Sequence, residues 1–420
     1  MRLLIKNATL IDPVHPKHGQ VLSLLIESGS ITELDNPDAI ADRVIEVDQL
    51  CVSPGWFDPL VSFGEPGYEE RETLANGLLT AASSGFTHIG LLPNVAPVMD
   101  SQSGVVHQLT KAKGAVSSLY PLGALSLGSK GEKLAELYHM QQAGAIAFYD
   151  AYQSIQNPQL LKIALEYSQS FDALLLSHPA EIALQGNGQM HEGITSTQLG
   201  LKGIPNIAES IQINRDLELL ANSGGRLHIP FVSTAEGVAH IRNAKKRGLK
   251  VSCSVGLPHL CFEDSALNTF DANLKVFPPI RTKEDQNALR QGLIDGTIDC
   301  ISSMHQPINT ENKDLEFELA LPGSIGLEAC FGVLSSIFPL EQTIRFLTRA
   351  KSIFGIPNHK IEVGQKADLT FFNPSKIFTL QKNHLQSSSK NCAYIGQQMS
   401  GKVLGSYHNK TLHWNHDFGA

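Results

Sequence analysis

The stretch Pro54-Gly55-Trp56-Phe57-Asp58-Pro59-Leu60-Val61-Ser62-Phe63-Gly64-Glu65-Pro66-Gly67 divides the chain into two textures. Its apolar run predicts a buried strand over 55–62, ended by a Gly/Pro turn. Before it, residues 1–53 read as short strands at 3–6, 21–26, 30–34 and 44–47, broken at Gly29 and at Asp35-Asn36-Pro37. Beyond it, short apolar strands alternate with amphipathic segments of helical length. The remaining strands are expected at 88–92, 118–122, 145–149, 173–177, 226–231, 250–254 and 298–302. The helical stretches include 70–84, 131–143, 158–169, 207–223 and 235–247. Eight strand–helix units in this order predict a (β/α)8 TIM barrel over 54–355. A doubly wound open sheet ranks below it, because no G-x-G-x-x-G follows the early strands.

From about residue 356 the strand-and-turn texture returns, at 367–372, Tyr394, 402–407 and 411–414. Residues 1–53 and 356–420 are therefore expected to form one β-rich satellite domain from both termini. Residues 387–390 read as a mobile loop.

Composition narrows the function classes. Of the 420 residues 42% are apolar and 18% charged, an ordinary globular balance with enough chain for a large core. A net charge of −8 argues against nucleic acid or an anionic membrane as partner. No run reaches the length of a membrane span, and residues 1–13 lack the layout of a signal peptide. Cys51, Cys253, Cys261, Cys300, Cys330 and Cys392 are scattered without a C-x-x-C pair, the pattern of buried thiols in a reducing compartment. A cytoplasmic protein is expected. The sixteen histidines contain no H-x-H or H-E-x-x-H spacing. Ser233 lacks a G-x-S-x-G context, and the loop at 186–188 lacks the lysine of a P-loop.

An ordered set of segments resembles the dihydroorotase branch of the amidohydrolase superfamily along almost the whole chain. It comprises Pro54-Gly55-Trp56-Phe57-Asp58, Glu65-Pro66-Gly67, Glu72-Thr73, Pro93-Asn94 with Pro97 and Asp100, and Gly144-Ala145-Ile146-Ala147-Phe148. Further along it includes Met190-His191-Glu192-Gly193, Gly203-Ile204-Pro205, Glu209, Arg215-Asp216 and Val232-Ser233-Thr234-Ala235. Pro278-Pro279 with Arg281, Asp295-Gly296, Ala367-Asp368-Leu369 and Asn391 complete it. The resemblance implies a cyclic amidohydrolase of pyrimidine biosynthesis. In such enzymes one or two Zn²⁺ ions at the C-terminal ends of the barrel strands activate water and polarise the amide.

Against that expectation the ligand positions are substituted. The family's first motif, D-x-H-x-H-x-R-[ED]-P-G, places two histidines on one strand face. Here Leu60 and Ser62 stand at the histidines, and Gly64 stands at the arginine that grips the substrate carboxylate. On strand 4 Asp150 occupies the place of a bridging acidic ligand, and on strand 5 His178 matches a metal histidine. The strand 6 histidine is Phe231. After strand 8 the pattern D-H-A-P-H reads Met304-His305-Gln306-Pro307-Ile308, with Met304 at the catalytic base and Ile308 at a substrate histidine. The turn K-x-N-P-P-x-R keeps Lys275 and Arg281 but has Phe277 for asparagine. Leu60, Ser62, Phe231 and Met304 cannot serve as their counterparts, which leaves Asp150 and His178 as metal positions and Asn94 as a substrate contact.

Two ligands are fewer than a catalytic zinc site uses, so no cofactor and no catalytic residue are expected; the alternative keeps zinc at a reduced site. Leu60, Phe231, Met304 and Ile308 together suit an apolar plug in the mouth. Asp150 and His178 read as a polar remnant, and His88, His228 and His259 as satisfied core histidines, while His305 stands at the motif's middle histidine, which the resemblance implies is not a ligand. Three functions follow. One is an inactive homologue with a structural or regulatory role, for which the resemblance implies an aspartate transcarbamoylase-like partner or a homodimer. The second is an active, divergent cyclic amidohydrolase. The third is a sensor that binds a small molecule in the altered mouth.

Overall fold

The computed structural model describes residues 2–415, so the expected satellite segments 1–53 and 356–420 are seen apart from Met1 and residues 416–420. Eight parallel strands form the central sheet: β1 (Trp56–Val61), β2 (Phe86–Leu91), β3 (Ser118–Gly123), β4 (Ala147–Phe148), β5 (Leu174–Leu176), β6 (Arg226–Ile229), β7 (Val251–Gly256) and β8 (Cys300–Ser302). They pair in chain order, with each neighbour in parallel register. The ring is drawn shut between β8 and β1, where Ser302 Oγ donates to the Leu60 carbonyl at 3.0 Å and Ser303 N–H to Asp58 at 2.8 Å. The sheet is therefore a TIM barrel, and every residue of β1 and β2 is buried, as strands covered on both faces must be.

Local chemistry explains where the helices begin. Thr73 caps Leu74–Ser83 by accepting from Asn76 N–H at 3.2 Å, and Thr234 caps Ala235–Lys246 from Gly237 N–H at 3.0 Å. Thr282 and Asp285 form a reciprocal capping box at Lys283–Asp295. The helix expected over 131–143 is confined to Leu137–Ala143, because its first residues are spent on a turn that bridges Ser126 to Leu134.

A second sheet contains strands from both ends of the chain. Arg2–Leu10 lies between Val21–Glu27 and Cys51–Pro54, and Cys51–Pro54 pairs with Leu369–Thr379, which leads on to Gln398–His408 and Thr411–Trp414. It has its own apolar core around Leu3, Ile5, Leu24, Val52 and Phe371. Tyr394, expected in a strand, sits fully buried in a turn. Residues 387–390, expected as a mobile loop, are instead held down. Ser387 and Ser388 donate to Glu72 at 2.8 Å, and Ser389 Oγ donates to the Arg71 carbonyl at 2.6 Å. Among the described residues no helix is long and apolar enough to cross a membrane, and all six cysteines are free.

A buried ionic cluster joins the two sheets near the start of β2. Asp368, 2% exposed, accepts from His88 Nε2 at 2.8 Å and Lys351 Nζ at 2.7 Å, with His408 Nδ1 3.3 Å away. Burial raises the Asp368 carboxyl, but the neighbouring cationic groups and hydrogen bonds more than offset this and hold it well below its ordinary value. Burial also pushes His88 down to about 4, so at neutral pH the ring is neutral. Its Nε2–H then donates to Asp368 while Nδ1 accepts from Tyr120 Oη at 3.1 Å. Among the described residues His88, Asp368 and His408 are the only three His, Cys, Asp or Glu side chains close enough to hold one metal ion. The Lys351 ammonium already supplies the positive charge there, and the cluster lies away from the mouth.

Candidate functional site

Because all eight strands run parallel, the residues that follow them converge at one end of the barrel, the end where such folds carry their chemistry. Leu60 is the penultimate residue of β1, while Asn94, Ser126, Asp150, His178, Phe231 and Met304 follow β2, β3, β4, β5, β6 and β8 in turn. The mouth therefore gathers the positions singled out in the sequence.

The two surviving metal positions have separate partners. Asp150 accepts from both the N–H (2.8 Å) and the hydroxyl of Ser126. Burial raises its carboxyl, and these hydrogen bonds offset only part of that rise. His178 is fully buried, and its Nδ1 lies 3.1 Å from Tyr149 Oη. Its other nitrogen, Nε2, has no hydrogen-bond partner among the described residues. Phe277 stacks against its ring at 6.1 Å and Tyr152 meets it edge-on at 6.0 Å. Burial pushes the imidazole down to about 3, so it is neutral. A neutral imidazole could ligate a metal, but among the described residues no two further His, Cys, Asp or Glu side chains lie close enough to complete a three-ligand site with it. The donors present thus do not fit the zinc centre that the resemblance implies.

Apolar side chains occupy the rest of the space. Leu60 and Phe231 are completely buried, and Met304 and Ile308 are each 3% exposed. Phe231 lies parallel to Tyr152 with centroids 5.6 Å apart. Met304 is accommodated by Gly256 at the end of β7, since a Cβ there would overlap the Met304 sulfur. Ser62 and Asn94 hydrogen-bond each other, Nδ2 to Oγ at 3.0 Å. Ala151, Phe231 and Met304 all hold left-handed backbone, with φ of 53°, 55° and 53°. For residues with a Cβ this conformation is costly, and such strain gathers at functional sites.

Above this floor the mouth remains open as a chamber of about 660 Å³, lined among others by Asn94, Asp150, Tyr152, Phe277 and Ile308. It also contains Arg71, which sequence reasoning passed over. The expected arginine position is Gly64, and the structure explains why no side chain can stand there. A Cβ on Gly64 would overlap the Tyr68 carbonyl oxygen and lie 2.9 Å from that of Glu72, because Gly64 N–H donates to Glu72 and Tyr68 N–H to Gly64, each at 2.9 Å. Gly64→Arg is expected to cost about 1–3 kcal/mol from this overpacking. A urea unfolding midpoint unchanged from the parent would show that the turn opens freely.

The histidines read as core are so placed. His228 Nδ1 lies 2.9 Å from Ser252 Oγ and Nε2 3.1 Å from Ser254 Oγ; His259 Nε2 lies 3.0 Å from the Pro278 carbonyl. His305 is fully buried below the mouth, where burial pushes it down to about 3. Arg281 donates to the Ile204 carbonyl at 2.6 Å and to Ser233 at 3.2 Å, away from the chamber. Lys275 donates to the carbonyls of Phe317 and Glu318 at 2.7 and 3.0 Å.

Residues 49–237 match the family model described as "Dihydro-orotase-like". A dihydroorotase of Pelotomaculum thermopropionicum is 37% identical over 411 residues, covering 96% of each chain. A dihydroorotase of Syntrophus aciditrophicus is 37% identical over 416 residues, covering 96% of this chain and 97% of its own. Among solved structures, the L-hydantoinase (dihydropyrimidinase) of Arthrobacter aurescens superposes with a TM-score of 0.85 over 98% of this chain and 95% of its own, at 21% identity, a likeness of fold. The barrel and relatives of this similarity along almost the full length place the chain in the dihydroorotase family.

Proposed function

We propose that this chain is a catalytically inactive dihydroorotase homologue with a structural or regulatory role in pyrimidine biosynthesis. The observation that carries the reading is the state of the mouth. Asp150 is committed to Ser126, His178 meets Tyr149 through Nδ1 alone, and the remaining ligand positions are occupied by Leu60, Ser62, Phe231 and Met304. Without a carboxylate at 304 the chain also lacks the group that would carry a proton to the leaving nitrogen, a contribution of roughly 10²–10⁴ in rate.

A protein partner belongs to the same proposal, either an aspartate transcarbamoylase-like chain or a second copy, in the cytoplasm. In support, Ile182 and Leu184 on Ile182–Gln185, and Ile207 and Ile211 on the adjoining Ile207–Ser223, are each more than 40% exposed, beginning at the rim of the chamber with Ile182.

The names of the relatives favour a second reading, an active amidohydrolase with a reduced metal site at Asp150 and His178. Zinc content and dihydroorotate hydrolysis, measured on one sample purified without chelator, separate the two. The expected result is no stoichiometric zinc and no turnover. About one zinc per chain together with turnover would overturn the proposal, and Asp150 and His178 would be the first residues to replace.

A further inference from the structure

We infer that the groove between the satellite sheet and the barrel helices is a second binding site, for a free amphipathic anion with a hydrocarbon body. The groove shares no lining residue with the mouth chamber, and the inference stands whether or not the mouth hydrolyses anything.

Four segments meet around it. The helices Leu74–Ser83 and Leu327–Ile337 form one side, and the strands Leu369–Thr379 and Gln398–His408 form the other. They enclose about 510 Å³, within the range of small-molecule sites. Phe331, Phe378, Leu380 and Val403 supply apolar walls. Leu79 and Ile377, which also line the groove, are 39% and 65% exposed. Gly401 holds φ of 86°, and a Cβ on it would stand 2.6 Å from the Phe331 ring, so the wall there is bare backbone. Hydrocarbon surface left half-covered in a seam between two packed layers favours an apolar occupant.

The charges select the other end of that occupant. Lys376, Lys402, His384 and His413 line the groove against a single acid, Glu328. Glu328 is engaged by the chain itself, accepting from Gln386 N–H. In a chain of net charge −8, two ammonium groups and two imidazoles around one engaged carboxylate make a local reversal of sign. A carboxylate or sulfonate at one end of an apolar body answers both features, and a cation answers only one. The net negative charge and the enclosing shape commit the ligand to a free acid, not to the headgroups of an anionic membrane.

An occupant would also touch the segment that frames the mouth. Gln386 lines the groove, and the residues after it hold the rim of the chamber. Ser387 and Ser388 donate to Glu72, and Ser389 Oγ donates to the Arg71 carbonyl. Asn391 Oδ1 accepts from Ile308 N–H at 3.1 Å. Arg71 and Ile308 both line the chamber, so the groove is placed as an effector site.

Decanoate and decyltrimethylammonium, which carry the same tail and opposite charge, serve as probes. Binding of each to the full-length chain, below its micellar range, is followed by ligand-observed NMR. We expect decanoate to bind about tenfold more tightly, and to raise the thermal midpoint because it contacts both domains. Lys376→Glu, at an exposed position, should remove most of that preference. Val403→Trp should fill the groove and weaken both probes by about tenfold or more. The thermal midpoint of each variant without ligand checks the fold. Equal binding of the two probes, no binding of decanoate, an unchanged preference in Lys376→Glu, or unchanged binding in a folded Val403→Trp would overturn the inference. Decanoate binding that appears only after residues 416–420 are removed would overturn it too, by assigning the groove to the chain's own end. Zinc content and dihydroorotate turnover bear on the inactive-homologue reading alone, so the two proposals fail separately.

Discussion

Replacing Asp368 with alanine is expected to destabilise the protein by about 3–5 kcal/mol, the range for breaking a buried ion pair by removing one partner. The effect comes from what is left behind. Lys351 has a side chain 1% exposed and donates to Asp368 at 2.7 Å, so the variant strands an ammonium in an apolar interior. His88 and His408 lose their acceptor at the same time. A thermal midpoint lowered by on the order of 10 °C would be the readout. The double variant Lys351→Met/Asp368→Asn, which removes the stranded charge, should recover much of the loss. If the single variant costs less than about 1 kcal/mol, the cluster is hydrated and does not clamp the two sheets.

The same cluster sets a pH dependence. Asp368 is held below its ordinary 3.8 in the folded state, so it binds fewer protons folded than unfolded at acid pH. Its contribution is fully present above that ordinary value and is lost as pH falls through the folded value. The parent protein should therefore lose stability faster than Asp368→Asn below about pH 4.

Phe231→Ala should cost about 3–5 kcal/mol, comparable with other deletions of buried aromatic rings. The ring has no solvent exposure, and it stacks on Tyr152, which in turn meets His178 edge-on. Deleting it opens a void beneath the chamber that the strand ends cannot collapse into, because their backbones are fixed by the barrel's hydrogen bonds. Phe231→His puts there the residue type that the resemblance implies but buries two ring nitrogens, and is expected to be only partly better than alanine. Urea unfolding of both variants decides the point. A loss under about 1 kcal/mol for Phe231→Ala would mean that the ring is not packed as the chamber's floor.

The barrel was legible in the sequence because each of its strands is a short apolar run punctuated by turn residues, and that pattern is local. The eight expected strands each fall on an observed one, with shifts of one or two residues at the ends. The identities at the ligand positions were legible for the same reason, since family motifs fix residues along one strand and in the turn after it. The identities of Leu60, Ser62, Phe231 and Met304 at the motif positions needed no coordinates.

Packing and pairing decided the rest. That Asp150 bonds Ser126 and not His178 depends on how the ends of β3 and β4 meet. That Met304 fits at all depends on the absent side chain of Gly256, 48 positions away in the chain. Arg71 escaped notice because it lies outside the motif positions and enters the chamber only through the turn that Gly64 closes. His88, Asp368, Lys351 and His408 come from segments far apart in the chain and are joined only when the two sheets pack. Sequence periodicity specifies what each segment is, because propensity and burial act over a few residues. Which side chains become neighbours, and therefore which charges are paired, which cavities remain and which groups lie open to a ligand, depends on contacts between distant segments, and only the folded chain makes them.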